Sequence, residues 1–352
     1  MSIDTSARAI FPSEPRQPSV SNEDSSATDA PPTIISAQPD ILIRPLKESD
    51  PPNAREVVRH LVNRAFAGLP YCQSIDAETC HSHFYNEEPP TAQPVRWQNH
   101  IAMAAWRAGQ LAGLLDIATG FDADNLDMPN YEPLGLIRSM ILPRDETLAE
   151  DVGQALLTES QKYWQEAGVG YVRAFARSTG YPFFQAGMGI LPSDWSNHIR
   201  VLTSHEYTFQ ARFYRLRLKL GAYLEEEVPM VKLSLVLKGT NVNRQYEVYQ
   251  RAVLIGSARY IFFGELEQNE TGLPRQKNVA HLLLFNIEDE WRGHHIGRWL
   301  LRRMVNDATL QGYHEMIVHV EHNQDVAMRL FAQHGFEELN YRGYTLQKVL
   351  TH

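Results

Sequence analysis

The sequence predicts an α+β protein built as two α/β sandwiches in tandem, each a mostly antiparallel twisted sheet flanked by helices. Three observations carry this prediction. At 352 residues the chain exceeds one modest domain. Alternating strand-like segments are interleaved with segments of helical period along its length. The two halves also echo each other: Gly153-Gln-Ala-Leu-Leu157 matches Gly297-Arg-Trp-Leu-Leu301 at an offset of 144 residues. Each of these glycines stands fifteen residues before a helix-stopping glycine, Gly168 or Gly312. A strand, a short helix and another glycine (Gly187, Gly335) then follow in both copies, the first being four residues shorter. The expected divisions are a tail at 1–39, a first domain at 40–215 and a second at 216–352.

Residues 1–39 hold six Pro and eight Ser, too little apolar surface to offset chain ordering, and are expected to be disordered. Ile41–Pro45 reads as a strand, and Ala54–Ala67 as a helix with Val57, Val58, Leu61, Val62, Ala65 and Phe66 on one face. Residues 72–98 read as loop with a short helix. Ile101–Trp106 and Leu111–Ala118 form a hairpin, and Leu134–Leu142 is a strand ended by Pro143. A helix at Leu148–Ala167, a strand at Tyr171–Ala176 and a short helix at Tyr181–Ala186 follow. His198–Leu220 is aromatic and basic, and reads as strand that closes the first domain or bridges the two.

Further strands are expected at Met230–Leu237, Tyr246–Leu254, Ala258–Glu265 and His281–Glu288, with a loop at Asn269–Lys277. The helix Ile296–Leu310 buries Ile296, Trp299, Leu300, Met304 and Ala308. His314–Glu321 is a strand. Asn323 is the expected N-cap of a short helix carrying Val326, Ala327, Leu330 and Phe331, which Gly335 stops. Phe336–Leu339 and Tyr344–Val349 are the last two strands.

Composition excludes several classes. Asp plus Glu number 42 against 33 Lys plus Arg, so the net charge of −9 argues against a nucleic-acid partner. There is no apolar run long enough for a membrane span and no secretory start, so a cytoplasmic protein is expected. The two cysteines, Cys72 and Cys80, fit a reducing compartment. With His81 and His83 they lack zinc-ligand spacing, and read as buried thiols beside surface histidines. His314-Glu-Met-Ile-Val-His319 lies on a strand without the helical His-Glu-x-x-His spacing, so no metal is expected.

The informative stretch is Asn286–Gly297, NIEDEWRGHHIG: a strand, an Arg-Gly turn and a helix that opens at a glycine. Such a turn offers backbone N–H groups and a helix N-terminus to a phosphate. Together with Asn323, Ala327, Leu330-Phe331 and Gly335-Phe336 downstream, it resembles the GNAT N-acetyltransferase superfamily. The likeness covers about 230–352, with a degenerate copy over 40–205, as in tandem GNAT proteins.

The resemblance implies an N-acetyltransferase that moves an acetyl group from the co-substrate acetyl-CoA to a primary amine of a small molecule or peptide. The alternative is a non-catalytic coenzyme A-binding or scaffold protein that retains the fold. It also implies that Arg292, Gly293, His294, His295, Ile296 and Gly297, with Arg298 in the first helical turn, hold the acetyl-CoA pyrophosphate. Ile287 would pair its backbone with the pantetheine arm, and Asn323 would bond nearer the thiol. Two positions depart from the family. His295 stands where a glycine is usual, and costs more if the loop needs φ > 0. Phe331 stands where many members carry a Tyr that protonates the leaving thiolate.

In the first copy the corresponding loop, Leu148–Gly153, carries two carboxylates and is not expected to bind coenzyme A. Candidates for the base are Glu288 at the strand end and His319 on the following strand. Little room remains between Met230 and Leu254 for the helices that usually shape the acceptor pocket, so the acceptor side is expected from the first domain or a partner subunit. A monomer or homodimer is expected.

Overall fold

In the computed structural model the described residues are 41–91, 96–121, 134–176, 180–268 and 274–350. They belong to one compact unit, Pro39–His352. The predicted tail and residues 269–273 of the expected Asn269–Lys277 loop lie outside the described residues, and 274–277 begin a strand instead of completing that loop. The first half runs β1 (Ile41–Pro45), α1 (Pro52–Phe66), α2 (Ala77–Phe84), β2 (Arg96–Arg107), β3 (Gln110–Phe121), β4 (Leu134–Ile141), α3 (Glu146–Glu166), β5 (Tyr171–Ala174), β6 (Leu191–Pro192), α4 (Ser196–Ser204) and β7 (Thr208–Lys219). The second runs β8 (Ser234–Thr240), β9 (Asn243–Gln250), β10 (Val253–Gln268), β11 (Pro274–Ile287), α5 (Ile296–Leu310), β12 (Glu315–Glu321), α6 (Asp325–Gln333) and β13 (Glu337–Val349).

The strands join one sheet, ordered β1-β2-β3-β4-β5-β13-β7-β12-β11-β10-β9-β8, with β6 paired to β13. Among the described residues the pairs β4–β5 and β11–β12 are parallel and the others antiparallel. The centre of the sheet holds an exchange. The last strand of the first half, β7, pairs with β12 of the second (Glu321↔Phe213 to Glu315↔Lys219). The last strand of the second half, β13, pairs with β5 of the first (Leu346↔Ala174). Each half therefore completes the sheet of the other, and β7 is the predicted bridge.

Alternation explains the layers. In the first half β2–β5 bury Met103, Leu115, Ile137 and Val172 against Val152, Leu156 and Trp164 of α3. In the second, Tyr246, Tyr260, Leu282, Met316 and Val318 pack against Trp299, Leu300 and Met304 of α5. On the opposite face α1 and α2 cover the first half with Val58, Leu61, Val62, Cys80 and Phe84. Among the described residues the second half has no counterpart to them, because β8 turns straight into β9 between Thr240 and Asn243.

Several expectations are corrected. Tyr181–Ala186 is not a helix; a single 3₁₀ turn spans Gln185–Gly187, with Ala186 in the left-handed region. Residues 198–204, expected as strand, belong to α4, whose face buries His198, Val201 and Leu202. The counterpart of α6 in the repeat is thus α4, and the first half is longer than the second at this point. Residues 337–349 form one strand rather than two, because the Asn340–Gly343 turn signal is a bulge against β7. The cap of α6 is Gln324, not Asn323, and its side chain makes no cap bond. Val57 and Val326, placed on apolar faces, are exposed, and His83, placed at the surface, is buried. Burial pushes the Cys80 thiol up to about 12. No helix among the described residues is long and apolar enough to cross a membrane.

Candidate acyl-coenzyme A site

The Asn286–Gly297 stretch folds as strand, turn and helix start. After Ile287 comes one 3₁₀ turn, Asp289–Trp291, and Arg292 is extended. Gly293 follows at φ 82° with open space around it, so conformation rather than packing demands the glycine. His295 has φ 62° and is left-handed, the conformation its departure from glycine makes costly. The first intrahelical bond runs from Trp299 N–H to His295 O at 3.1 Å. The N–H groups of Ile296, Gly297 and Arg298 therefore precede the ladder and point out of the helix end. No side chain caps α5. Arg292 folds back over the turn, its Nε donating to Ile287 O at 3.0 Å and its Nη2 lying 2.7 Å from Asp289 Oδ1.

His295→Gly should remove strain of about 1 kcal/mol, raising Tm by roughly 2–4 °C, because the residue is exposed. Calorimetric melting checks this.

Beside the loop the sheet opens. β11 and β12 pair only over Val279↔Glu315 to Leu282↔Val318, although both strands continue. A bulge against β10 falls at the same point: Tyr260 pairs Leu282 and Arg259 pairs Leu284, leaving Leu283 as the extra residue. It shifts the facing of the strand, so that Ala280 and Leu282, then Phe285 and Ile287, lie on the α5 side. Glu288 N–H bonds Ile255 O on β10, so alternation turns the backbone of Ile287 toward the opening. Its carbonyl there accepts the Arg292 bond. A wedge thus leads from the open start of α5 down to Leu282 and Val318.

The same positions of the first half are closed. The N-terminus of α3 is capped by Asp145, whose carboxylate accepts from Leu148 N at 2.8 Å. A Cβ on Gly153 would meet Val201 Cγ1 of α4 at 2.5 Å, so this glycine permits close helix packing. At Gly297 the nearest atom would be 3.6 Å away, an ordinary contact, so the fold itself does not require glycine there. His198 of α4 also bonds Met140 O at 3.0 Å, taking a carbonyl on the opening side of β4. Where β4 and β5 part, the bulged residue is Arg138. It lies buried with Asp116, which accepts from Arg138 Nη1 at 3.0 Å, Tyr181 OH at 2.6 Å and His100 Nε2 at 2.7 Å. Tyr181 belongs to the segment between β5 and β6, so the first wedge is filled by its own chain.

Burial pushes the Asp116 carboxyl up, but Arg138 and His100 together outweigh it and hold it below the usual range. Asp116→Ala would take this counter-ion from the buried Arg138 guanidinium, a loss of about 3–5 kcal/mol in a urea melt. A depressed folded pKa stabilises above the unfolded value and is lost as pH falls through the folded one. Burial likewise lowers His83 to about 3 and His198 to about 4. Stability should therefore fall from about pH 6.5 downward, first through these histidines and then below about pH 4 through Asp116; melts in a pH series check it.

The residues expected at the site fall in different places. Arg292, Gly293, His294, His295, Ile296, Gly297 and Arg298 form the turn and the first turn of α5, with Ile287 beside them. Asn323 is exposed in the turn before α6. Glu288 is exposed and accepts from Asn286 Nδ2 at 3.0 Å. His319 is buried on the face opposite α5, held by Arg215 and His281. Phe331 is buried between Phe285 and Phe336. Sequence reasoning missed the Leu283 bulge, Arg215 and the Asp145 cap. Only the cap had a local signal, an Asp three residues before Leu148.

Residues 219–336 match the Acetyltransferase (GNAT) family model. No curated protein matches the chain by sequence. Three solved structures are similar to it in fold. A GCN5-related N-acetyltransferase from Sphaerobacter thermophilus has a TM-score of 0.54 at 12% identity, over 88% of this chain and 95% of its own. A tandem GNAT protein from the clavulanic acid biosynthesis pathway gives 0.56 at 13%, over 88% and 98%. The glucosamine N-acetyltransferase region of a fungal multi-domain beta-N-acetylglucosaminidase gives 0.61 at 12%, over 89% and 38%. The chain carries a GNAT domain at 219–336 within the fold of tandem GNAT proteins.

Proposed function

We propose that the chain is an acetyl-CoA-dependent N-acetyltransferase with one cofactor site, in the second half (216–352). The first half (40–215) supplies the acceptor-side wall. The observation that carries this reading is the contrast between the two helix starts: α3 is capped by Asp145, whereas α5 opens uncapped behind Gly293 and His295.

In this reading the N–H groups of Ile296, Gly297 and Arg298 bind the pyrophosphate, with Arg292 and the imidazoles of His294 and His295 adding donors. The Ile287 backbone orients the pantetheine arm in the wedge, and Asn323, in the turn after β12, adds a donor across its mouth. Acetyl-CoA supplies the activated thioester. The Leu283 bulge leaves backbone donors beside the wedge for the developing oxyanion. Phe331 cannot donate a proton, so the thiolate leaves to solvent or to the acceptor's own proton. Glu288 stands beside the pyrophosphate turn, six residues of strand away from Leu282 at the bottom of the wedge, so the acceptor's ammonium proton passes to water and not directly to Glu288. The acceptor is a primary amine that enters from the face opposite α5, where the second half lacks covering helices.

Thiol release from acetyl-CoA with a panel of small amines and amine-bearing peptides tests this. Amine-dependent release is expected. Binding of acetyl-CoA with no turnover on any amine would favour the scaffold alternative.

A further inference from the structure

We propose that Arg215, a residue of the first half, is a positioning residue for acyl transfer in the second: acting through His319 and His281, it fixes the point where β11 and β12 part. This rests on the acetyltransferase reading given above.

The buried Arg215 side chain lies between two rings, its guanidinium carbon 3.6 Å from the Tyr341 centroid and 5.0 Å from that of Tyr71. Its Nε donates to His319 Nε2 at 2.9 Å. His319 Nδ1 is 3.1 Å from His281 Nε2, and His281 Nδ1 contacts Ala186 O. The protons along this relay are fixed by its ends. A guanidinium only donates, so His319 Nε2 carries a lone pair and its hydrogen is on Nδ1. That hydrogen goes to His281 Nε2, leaving the His281 hydrogen on Nδ1 to meet the Ala186 carbonyl, which only accepts. Three hydrogen bonds run in one direction, with both imidazoles neutral and both ring nitrogens of each engaged.

The position of this relay gives it a role. The last parallel pair before the wedge is Leu282↔Val318. His281 precedes that pair on β11 and His319 follows it on β12, so their hydrogen bond crosses the vertex. Both anchors come from the first half: Arg215 on β7, and Ala186, held in the left-handed region at φ 55°. The pyrophosphate turn lies at the other end of the wedge. Loosening the vertex should therefore disturb the acyl end and leave the turn intact. A buried histidine whose two nitrogens are both engaged is a poor general base, so His319 acts by position and not by taking the acceptor's proton.

The test uses the intact protein with acetyl-CoA, free coenzyme A and whichever amine the parent acetylates. Arg215→Met should keep coenzyme A affinity within about twofold and the KM for acetyl-CoA, while kcat falls at least about tenfold. Should that variant not fold, His319→Leu and His319→Gln read the same relay. The glutamine keeps one acceptor and one donor, and should recover most of the kcat that the leucine loses. Histidine ¹⁵N spectra of the parent at pH 7 should show both imidazoles as neutral Nδ1–H tautomers, whether or not the protein turns over. An Nε2–H tautomer at His319, an unchanged kcat, or equal loss of kcat and coenzyme A affinity would overturn the proposal. Failure of the parent to bind acetyl-CoA would instead overturn the acetyltransferase reading.

Discussion

Residues 221–352 expressed alone should not fold, although they contain nearly all of the family match. Without β7 the strands β12 and β13 lose their common neighbour, since β7 pairs β12 through Phe213–Lys219 and β13 along Thr208–Arg217. Leu216 and Leu218, which pack in the α5 core, leave with it, and so does Arg215 beneath His319. Removing a central strand exposes two ladders of backbone groups and an apolar face at once, more than the margin of about 5–15 kcal/mol by which domains are stable. Circular dichroism and size-exclusion chromatography should report an unfolded or aggregated fragment. A longer fragment starting before β7, at 205, should recover part of the structure, though β13 would still lack β5. A monomeric, cooperatively melting 221–352 would show that the exchange is dispensable.

Arg292→Glu should weaken acetyl-CoA binding by about a hundredfold or more. Glu288, Asp289 and Glu290 already stand before the turn, and Arg292 is the cation among them, paired with Asp289 at 2.7 Å. The substitution places a fourth carboxylate beside a dianionic pyrophosphate. A two-unit change of charge against two negative charges about 5 Å away costs roughly 3 kcal/mol even in the dielectric of water. The fold should be untouched, because the Arg292 side chain is 60% exposed. Equal affinity in parent and variant would remove Arg292 from the site.

Much of the fold was legible because its periods are local. The α5 helix and its buried face could be read residue by residue, and the β2–β3 hairpin from alternation, whereas β11 begins at Pro274, inside the stretch expected as loop. Residues 198–204 misled because an aromatic, basic run without a capping side chain looks like strand, and Trp195 caps nothing. Tyr181–Phe184 carry helix-like apolar spacing, yet they fill the first wedge, a tertiary role with no local pattern. The exchange of β7 and β13 was out of reach, since strand pairing across such separations leaves no trace in either segment alone. At the site, the turn could be read from Arg292, Gly293 and Gly297, and the cost at His295 from its side chain. The geometry at the first copy's helix start was not legible. Its loop carboxylates, Glu150 and Asp151, suggested repulsion, whereas the structure has a different carboxylate, Asp145, as the helix cap, with Val201 against Gly153 and Arg138 at the vertex.

Calorimetric titration of the intact protein with acetyl-CoA tests the single-site reading most directly. One molecule should bind per chain, with Arg292→Glu abolishing the signal and Asp145→Ala adding no second site, since Val201 still closes the first wedge. No binding, or two equivalents per chain, would contradict it.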